Sequence, residues 1–313
     1  MKKDKPILYF VAGVTASGKS SFAFNWAKEN EAEILSCDSV AIYKGMDVGS
    51  AKPTLHERKI VTHHGLDLVQ VSERYDVAKY IKYAENIVKT AYQKGSKVLV
   101  VGGSGFYLHS FFSPVVDNVN VNDGIKEFVE TVKRKKGLAG LLQELHKLNP
   151  DGLENIDESN RVRVIKSLER CLATGLTVHE LKKEFESKPL PFSGFQKKTC
   201  LLDRSNDILF GMIDRRTEKM IKSGLIDEVE SLIDNGIMKN YPASTAVGYR
   251  ETISFLRGEI SKAELHEAIT ISTRQLVAKQ RKWFRKFFTA DQKLFLNNDS
   301  PFSIEKIDWG RET

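Results

Sequence analysis

The sequence predicts an α/β protein with a doubly wound parallel sheet and a separate helical insertion. Three observations support this fold class. Short apolar runs, typical of buried strands, alternate with segments whose apolar residues recur at helical spacing. A glycine-rich loop directly follows the first of these runs. The strand pattern disappears over residues 120–198 and returns near residue 199, which indicates that a helical segment interrupts a single core.

The strands are predicted from four apolar runs, at residues 7–11, 33–37, 97–101 and 199–202. The helices predicted between the first three strands cover residues 21–28 and 77–94. Because strands and helices alternate, the strands are expected to be parallel, with ligands at their carboxyl ends. The loops that begin near residues 13, 38 and 102 each follow a strand, so they should converge on one edge of the sheet.

The chain is divided by these patterns into three segments. Residues 1–119 form the first part of the core, residues 120–198 the helical insertion, and residues 199–313 the rest of the core with basic C-terminal helices. The helices predicted in the insertion cover residues 125–135, 138–148, 161–173 and 177–185. Those predicted after it cover residues 208–223, 225–235, 246–257 and 261–288.

The glycine-rich loop, residues 13–20, matches the P-loop pattern G-x-x-x-x-G-K-[ST] and lies between a predicted strand and a predicted helix. In this context the loop amides and the positive end of the helix dipole bind a phosphate group. Lys19 adds a positive charge, and the hydroxyl of Ser20 can bind a magnesium ion. The sequence therefore predicts a P-loop NTPase-like core that binds a phosphorylated small molecule.

The overall composition is that of an ordinary globular protein, with 313 residues, 41% of them hydrophobic and 28% charged, and a net charge of +7. It excludes a disordered, fibrous or membrane-spanning chain. The apolar run after the basic N-terminus has only the length of a strand, so we predict no signal peptide and a cytoplasmic protein. The three cysteines and seven histidines have no metal-binding spacing, so neither disulfides nor a zinc site are predicted.

Asp38 is the one acidic residue that the predicted strands place at a strand end. NTP hydrolases usually hold magnesium with such an acid after an apolar strand, yet the run at 97–101 ends in glycines. Beside a bound phosphate, the Asp38 carboxylate could bind a metal through water or remove a proton from a nucleophile. It could instead cap a turn with Ser39. These residues leave open a small-molecule kinase and a transferase that uses a non-nucleotide diphosphate.

The last predicted helix carries a cluster of positive charge. Six cations and no acid occur within a short stretch that also contains four aromatic residues. The cations are Arg274, Lys279, Arg281, Lys282, Arg285 and Lys286. Leu276, Gln280, Trp283, Phe284 and Phe287 share the opposite face, which can pack on the core. The cations then form either a solvated surface or a contact for the phosphate backbone of a nucleic acid.

Six blocks of sequence, in order along nearly the whole chain, resemble the signatures of bacterial tRNA dimethylallyltransferases of the IPP transferase family. They are residues 13–20, 38–53, 102–108, 224–229, 246–251 and 273–285. The resemblance implies transfer of a dimethylallyl group from dimethylallyl diphosphate to N6 of adenosine 37, in tRNAs that read codons beginning with U. It also implies that the P-loop binds diphosphate, through Gly13, Thr15, Ala16, Ser17, Gly18, Lys19 and Ser20.

The resemblance further implies roles for individual side chains. Asp38 would accept the N6 proton, Ser104 would place a hydroxyl near the diphosphate or the reacting centre, and Arg216 would stabilise the leaving diphosphate. Magnesium is the implied cofactor, with Ser20 as its protein ligand. The helical insertion would bind the anticodon stem. The implied tRNA contacts are Asp38, Ser39, Val40, Ala41, Arg163, Lys166, Arg281 and Arg285.

Three positions depart from the family pattern. Ser104 stands where threonine is usual, Ala41 where many members have glutamine, and Val162 where a polar or basic residue is usual. Two alternatives remain beside the tRNA enzyme: an adenylate isopentenyltransferase acting on free AMP, ADP or ATP, and a P-loop small-molecule kinase. The insertion and the basic helix favour a macromolecular acceptor. We expect a monomer that does not associate with membranes.

Overall fold

The structure is a computed structural model that describes residues 5–115, 119–154, 156–304, 307 and 309. The chain forms two compact units. The first comprises Met1–Phe112 and Phe192–Thr313, and the second comprises Ser113–Pro191. Among the described residues, none of the helices combines the length and apolar character that crossing a bilayer requires.

The first unit is built around a six-stranded sheet. In chain order its strands are β1 (Ile7–Gly13), β2 (Ala32–Cys37), β3 (His63–His64), β4 (Lys97–Gly102), β5 (Gln196–Arg204) and β6 (Gln292–Leu296). Their order across the sheet is β3-β2-β4-β1-β5-β6, and every neighbouring pair is parallel. The predicted fold class, an α/β protein with a doubly wound parallel sheet, is confirmed.

The helices pack around this sheet or form the second unit. In chain order they are α1 (Lys19–Glu29), α2 (Leu55–Ile60), α3 (Val77–Gln93), α4 (Gly105–His109), α5 (Asp123–Leu148), α6 (Arg161–Thr174), α7 (Val178–Glu186), α8 (Asn206–Lys222), α9 (Leu225–Asp234), α10 (Tyr241–Ser244), α11 (Tyr249–Leu256) and α12 (Lys262–Phe287). A short 3₁₀ helix covers Ile237–Lys239. Trp26 of α1 packs against Tyr9, and both belong to one apolar core cluster with the strand residues Val11, Leu99 and Leu202.

The second unit contains α5, α6 and α7, which enclose their own apolar core around Leu141, Leu145, Val164 and Leu168. Gly137 interrupts α5 with φ of 62° and ψ of −152°, which agrees with the two separate helices predicted on either side of it. The predicted insertion, residues 120–198, differs at both ends from the unit Ser113–Pro191. At its C-terminal end the reason is that β5 begins at Gln196 and pairs with β1, so those residues belong to the sheet.

Two strands escaped prediction because their sequences lack a strand pattern. β3 has only two residues, and β6 is an edge strand whose side chains alternate between half-buried and exposed. The helix predicted at 246–257 begins later, at Tyr249, because Gly248 has a φ of 92° and caps it. The four central strands, β2, β4, β1 and β5, nevertheless bring the predicted loops to one edge of the sheet.

Candidate active site

The P-loop connects β1 to α1 and depends on two glycines. Gly18 caps α1 with a φ of 93°, a left-handed conformation that glycine adopts readily. A Cβ atom at Gly13 would lie 2.6 Å from the carbonyl oxygen of Leu202 in the neighbouring strand. Ala16 also has a positive φ, 63°. The loop is therefore wound tightly against β5, with its amides grouped at the N-terminus of α1.

Arg204, at the end of β5, is hydrogen-bonded to the P-loop. Its side chain is almost fully buried, with 1% of the residue exposed. The Nε atom donates a hydrogen bond to the carbonyl oxygen of Ser17 at 2.8 Å, and Nη2 donates to that of Ser300 at 2.8 Å. The guanidinium also stacks over the ring of Phe302. No role is predicted for Arg204 from the sequence. Its position close after an apolar run was the signal that could have identified it.

One cavity of about 360 Å³ joins several of the predicted site residues. Its walls include Thr15, Lys19, Ser20, Asp38, Ala41 and Arg216, which come from the P-loop, the loop after β2, and α8. Ser17, by contrast, is fully buried and does not line this cavity. The structure thus brings the predicted phosphate-binding loop, the acid and the arginine to one place.

The charges in this cavity influence one another. Burial lowers the pKa of Lys19 to about 8, an effect that Asp38 opposes and Arg216 reinforces. Burial also lowers the pKa of Arg216, again opposed by Asp38. Two cations therefore share one carboxylate in a desolvated pocket. An anion such as diphosphate would compensate both cations, and its charge would restore the pKa of Lys19 toward the ordinary value.

Asp38 caps a turn and also lines the cavity. Its Oδ1 atom accepts hydrogen bonds from the amides of Val40 at 2.8 Å and Ala41 at 3.2 Å, which caps the turn after β2. The same carboxylate lines the cavity that contains Lys19 and Arg216. The turn thus orients the carboxylate while it faces the site, as a positioned proton acceptor requires.

A smaller cavity of about 100 Å³ adjoins this carboxylate. It shares Thr15, Asp38, Ser50 and Arg216 with the larger one. Its other walls are mainly apolar, formed by Val40, Met220, Val247, Ile269 and Leu276, together with Gly49, Thr217 and Thr273. The Asp38 carboxylate therefore lies where the cavity that contains Lys19 adjoins a smaller one with several apolar side chains in its wall.

Ser104 links two loops of the site. Its hydroxyl accepts a hydrogen bond from the amide of Ser39 at 3.1 Å and lies 3.3 Å from the Ser39 hydroxyl. Ser39 directly follows Asp38, so the loop after β4 holds the loop that carries the acid. The Ser104 hydroxyl, which was predicted to lie near the diphosphate or the reacting centre, thus contacts Ser39 in the structure.

Gln280, on α12, joins two other loops. Its Oε1 atom accepts a hydrogen bond from the amide of Thr15 at 2.8 Å, and its Nε2 atom donates one to the carbonyl oxygen of Gly103 at 3.0 Å. The sequence analysis placed Gln280 on the packing face of the basic helix and gave it no further role. An amide among otherwise mainly apolar side chains was the signal that could have identified it.

A further loop is anchored by Glu228 of α9. Its carboxylate accepts hydrogen bonds from the amides of Asp47, Val48 and Gly49, at 3.0, 2.6 and 3.1 Å. The hydroxyl of Tyr249 donates to the same carboxylate at 2.8 Å. The next residue, Ser50, accepts a hydrogen bond from Arg216 at 3.5 Å. Glu228 therefore holds the segment against which the site arginine lies, a role that the sequence analysis did not assign.

We expect Glu228→Ala to lower the free energy of unfolding by about 2–3 kcal/mol, because several amides lose their acceptor at once. The matched control is Glu230→Ala, an exposed residue of the same helix, which should change stability by less than about 0.5 kcal/mol. Urea unfolding of both variants, followed by circular dichroism, measures the difference. Equal midpoints for the two variants would show that the loop does not depend on Glu228.

The two predicted RNA contacts on α12 differ in their surroundings. Arg281 forms a two-point ion pair with Asp203, with Nε to Oδ2 at 2.8 Å and Nη2 to Oδ1 at 2.9 Å. Its guanidinium also donates to Asn206. Arg285 is exposed and lines a separate cavity of about 560 Å³ together with Arg274 and Lys293. Arg281 thus has a structural partner, whereas Arg285 is presented to solvent.

The prediction that Asp38 is the one acid at a strand end is wrong. Asp203 directly follows the predicted strand at 199–202, as Asp38 follows the one at 33–37, and in the structure Asp203 lies within β5, which extends to Arg204. Its carboxylate pairs with Arg281, and Asp203 does not line the P-loop cavity. Two acids of the described chain line that cavity, Asp38 and Glu57, and the Glu57 carboxylate accepts hydrogen bonds from the amide and hydroxyl of Thr54.

The predicted contacts Arg163 and Lys166 lie on α6 in the second unit, and both are exposed. Lys166 forms an ion pair with Glu169 at 2.7 Å, and Arg163 follows the N-cap residue Asn160 in the first turn of the helix. Val162, the residue before Arg163, is also exposed. The two cations lie in the first two turns of one helix, where they are accessible to a polyanion.

The oxygen ligands of the cavity fit a magnesium ion that is bound together with a diphosphate. The Ser20 hydroxyl and the Asp38 carboxylate line the same cavity. The described residues contain no cluster of three or more His, Cys, Asp or Glu side chains that could hold a metal. Magnesium commonly binds through one or two protein oxygens, with phosphates and water completing its coordination, so this sparse set suits it.

Comparison with known proteins identifies the relatives of this chain. A model of the family described as IPP transferase matches residues 41–287. The tRNA dimethylallyltransferase of Opitutus terrae is 43% identical over 282 residues, which cover 90% of this chain and 91% of that protein.

Two solved structures are also similar. The tRNA isopentenylpyrophosphate transferase of Bacillus halodurans is 27% identical, with a TM-score of 0.67 and coverage of 96% of this chain and 92% of that one. A eukaryotic dimethylallyltransferase acting on tRNA shares the fold, with a TM-score of 0.80 at 22% identity and coverage of 97% of this chain and 76% of that one.

Proposed function

This chain belongs to the IPP transferase family, and on that premise we propose that it transfers a dimethylallyl group from dimethylallyl diphosphate to N6 of adenosine 37 in tRNA. The observation that carries the proposal is the cavity in which the P-loop, Arg216 and Asp38 meet. It combines a site for diphosphate with a carboxylate that can accept a proton. We further propose that the enzyme is a cytoplasmic monomer and that its tRNA substrates read codons beginning with U.

The diphosphate is bound by the amides of the P-loop, by Lys19 and by Arg216. In the reaction the bond between C1 of the dimethylallyl group and the diphosphate oxygen breaks, and a bond between C1 and N6 forms. The leaving diphosphate gains negative charge, which Lys19 and Arg216, both half-buried, stabilise more strongly than water would. Magnesium, held by Ser20 and the diphosphate, supplies further charge stabilisation when it is bound.

The proton lost from N6 is transferred to the Asp38 carboxylate. Its Oδ1 atom is held by the amides of Val40 and Ala41, so the carboxylate is fixed before the substrates arrive. The smaller cavity beside it places the apolar side chains of Val247 and Leu276 next to polar groups, which suits the flat ring of a purine or the dimethylallyl chain. Both substrates would then meet at the carboxylate.

Adenosine 37 must leave the stack of the anticodon loop to reach this site, at a cost of a few kcal/mol. Contacts to the RNA backbone offset that cost. We propose that Ser39, Val40 and Ala41 contact the base or its neighbours, and that exposed cations contact phosphates. Those cations are Arg163 and Lys166 on α6 and Arg285 on α12. Because Arg281 is paired with Asp203, we expect Arg281 to contribute less to RNA binding than the sequence alone predicts.

The salt dependence of tRNA binding tests the α12 surface. We expect the double variant Lys282→Gln/Arg285→Gln to bind tRNA more weakly and to reduce the magnitude of the slope of log K against log salt by about 1–2. With fewer cations in contact with phosphates, fewer counterions are released on binding. Both residues are exposed. The matched control is Lys59→Gln/Lys89→Gln, two exposed lysines on α2 and α3. A slope equal to that of the wild type would return these cations of α12 to an ordinary solvated surface.

The proposed reaction is tested by offering radiolabelled dimethylallyl diphosphate and magnesium to a mixture of unmodified tRNA and AMP. Label in tRNA alone supports the proposal, and mapping the label to adenosine 37 defines the position. Label in AMP would identify an adenylate isopentenyltransferase. Label in neither acceptor, with phosphorylation of a metabolite by ATP, would identify a kinase. Asp38→Asn should place far less label in tRNA than the wild type does in the same time.

A further inference from the structure

α12 makes two direct contacts with the loop that follows β4. Gln280 donates a hydrogen bond to the carbonyl oxygen of Gly103. Trp283 lies on the same face of the helix and packs so closely that a Cβ atom at Gly105 would be 2.4 Å from its ring. A side chain at Gly105 would therefore collide with the indole of Trp283. The loop cannot move without displacing the indole or breaking this hydrogen bond.

The second hydrogen bond of Gln280 extends this connection to the P-loop. Its Oε1 atom accepts from the amide of Thr15, which lines the diphosphate cavity. A Cβ atom at Gly103 would lie 2.8 Å from the carbonyl oxygen of Gly13 and 3.5 Å from the Nζ atom of Lys19. The Gln280 amide is thus located where the two loops and the site lysine come together.

Ser104 completes the network. Its hydroxyl accepts a hydrogen bond from the amide of Ser39, next to the acid of the site. A continuous path of hydrogen bonds and one short segment of chain therefore runs from Thr15 through Gln280 and Gly103 to Ser104 and Ser39. This path fixes the P-loop relative to the loop that carries Asp38.

We propose that Gln280 is a positioning residue for the transfer reaction, which sets the relative placement of the P-loop and the loop that orients Asp38. The inference rests on the proposed function, because it assigns the diphosphate to one loop and the proton acceptor to the other. Reacting groups have to be aligned closely, and a displacement of about 1 Å can cost about 100-fold in rate. Gln280, which hydrogen-bonds to Thr15 and Gly103 at once, holds the two loops in a fixed relative position.

The first test compares Gln280→Met with Gln275→Met, an exposed glutamine of the same helix. Methionine preserves the length of the side chain and removes both hydrogen bonds. We expect Gln280→Met to lower kcat about tenfold or more. The Kd for tRNA and the thermal midpoint should stay close to the wild-type values, because the cationic surface and the core are unchanged. Gln275→Met should match the wild type in all three measurements.

A second variant separates position from charge. Gln280→Glu keeps an acceptor for the Thr15 amide, but it places an oxygen against the carbonyl of Gly103 and a negative charge beside Lys19. We expect both variants to lower kcat, and Gln280→Glu to raise the KM for dimethylallyl diphosphate more than Gln280→Met does. A merely structural role would instead lower the thermal midpoint and the active fraction of both variants and leave the kcat of the active molecules unchanged.

Binding of inorganic diphosphate, measured by calorimetry, provides a readout that needs no RNA. The wild type should bind it more tightly than Gln280→Met by a severalfold factor, and more tightly still than Gln280→Glu. Equal affinities for the three proteins would overturn the proposal whether or not tRNA is the acceptor. If the three proteins bound diphosphate in this order but the wild type transferred nothing to tRNA, the proposed function alone would be contradicted. An unchanged kcat in Gln280→Met, with active wild type, would contradict the positioning role alone.

Discussion

Asp38→Asn is expected to reduce turnover by about 100-fold or more while the Kd for tRNA stays within a few-fold of the wild-type value. Asparagine retains the Oδ1 atom that accepts from the amides of Val40 and Ala41, so the turn after β2 is preserved. What disappears is the negative charge and the capacity to accept the N6 proton. Single-turnover transfer from dimethylallyl diphosphate to tRNA, with saturating enzyme, measures the loss directly.

The matched control is Asp76→Asn. Asp76 caps α3, and its side chain accepts a hydrogen bond from the amide of Lys79, a role that asparagine fulfils equally well. This variant should transfer the dimethylallyl group at the wild-type rate. If Asp38→Asn also transferred at that rate, the carboxylate would not be the proton acceptor, and the residue would be only a turn cap.

Lys19→Met is expected to lower kcat/KM for dimethylallyl diphosphate by about 100-fold to 1,000-fold, the range found when one group that stabilises transition-state charge is removed. Methionine fills a similar volume without the ammonium group. The control is Lys28→Met, an exposed lysine in the last turn of the same helix, which should have no effect. Steady-state kinetics at several donor concentrations distinguish a change in KM from a change in kcat.

The pH dependence of donor binding identifies the same group. Burial lowers the pKa of Lys19 to about 8, so the free enzyme loses this positive charge as the pH rises through 8. Bound diphosphate raises the pKa, which means that binding takes up a proton above pH 8. We therefore expect the KM for the donor to be constant below pH 8 and to rise above it. This rise should persist in Lys28→Met and be absent in Lys19→Met, and a rise that survived in Lys19→Met would assign it to another group.

Much of the core could be predicted from the sequence because its signals are local. The apolar runs of β1, β2 and β4 and the helical spacing of α3 each occupy consecutive residues, and the P-loop pattern is a short string between them. In a parallel sheet the carboxyl ends of the strands share one edge, so the meeting of the P-loop with Asp38 followed from the order of the elements. The cavity that contains Lys19 and Asp38 agrees with that inference.

Other features could not be predicted because they depend on residues far apart in the chain. The edge strand β6 takes its partner from β5 and carries no strong apolar pattern of its own. Arg281 belongs to a run of cations that looks uniform in the sequence, yet its guanidinium pairs with Asp203 while Arg285 faces solvent. Periodicity assigns a residue to a face of a helix but does not identify the atoms that face it.

The sequence by itself determined the class of fold, the phosphate-binding loop and the acid beside it, because each is specified by residues that are adjacent or follow a short period. Only the tertiary structure decided which side chains hold these parts in register. Gln280 meets Thr15 and Gly103, and Glu228 meets the amides of Asp47, Val48 and Gly49, across separations that no local pattern encodes. Those contacts depend on the packing of whole helices against the sheet, and packing is a property of the folded chain.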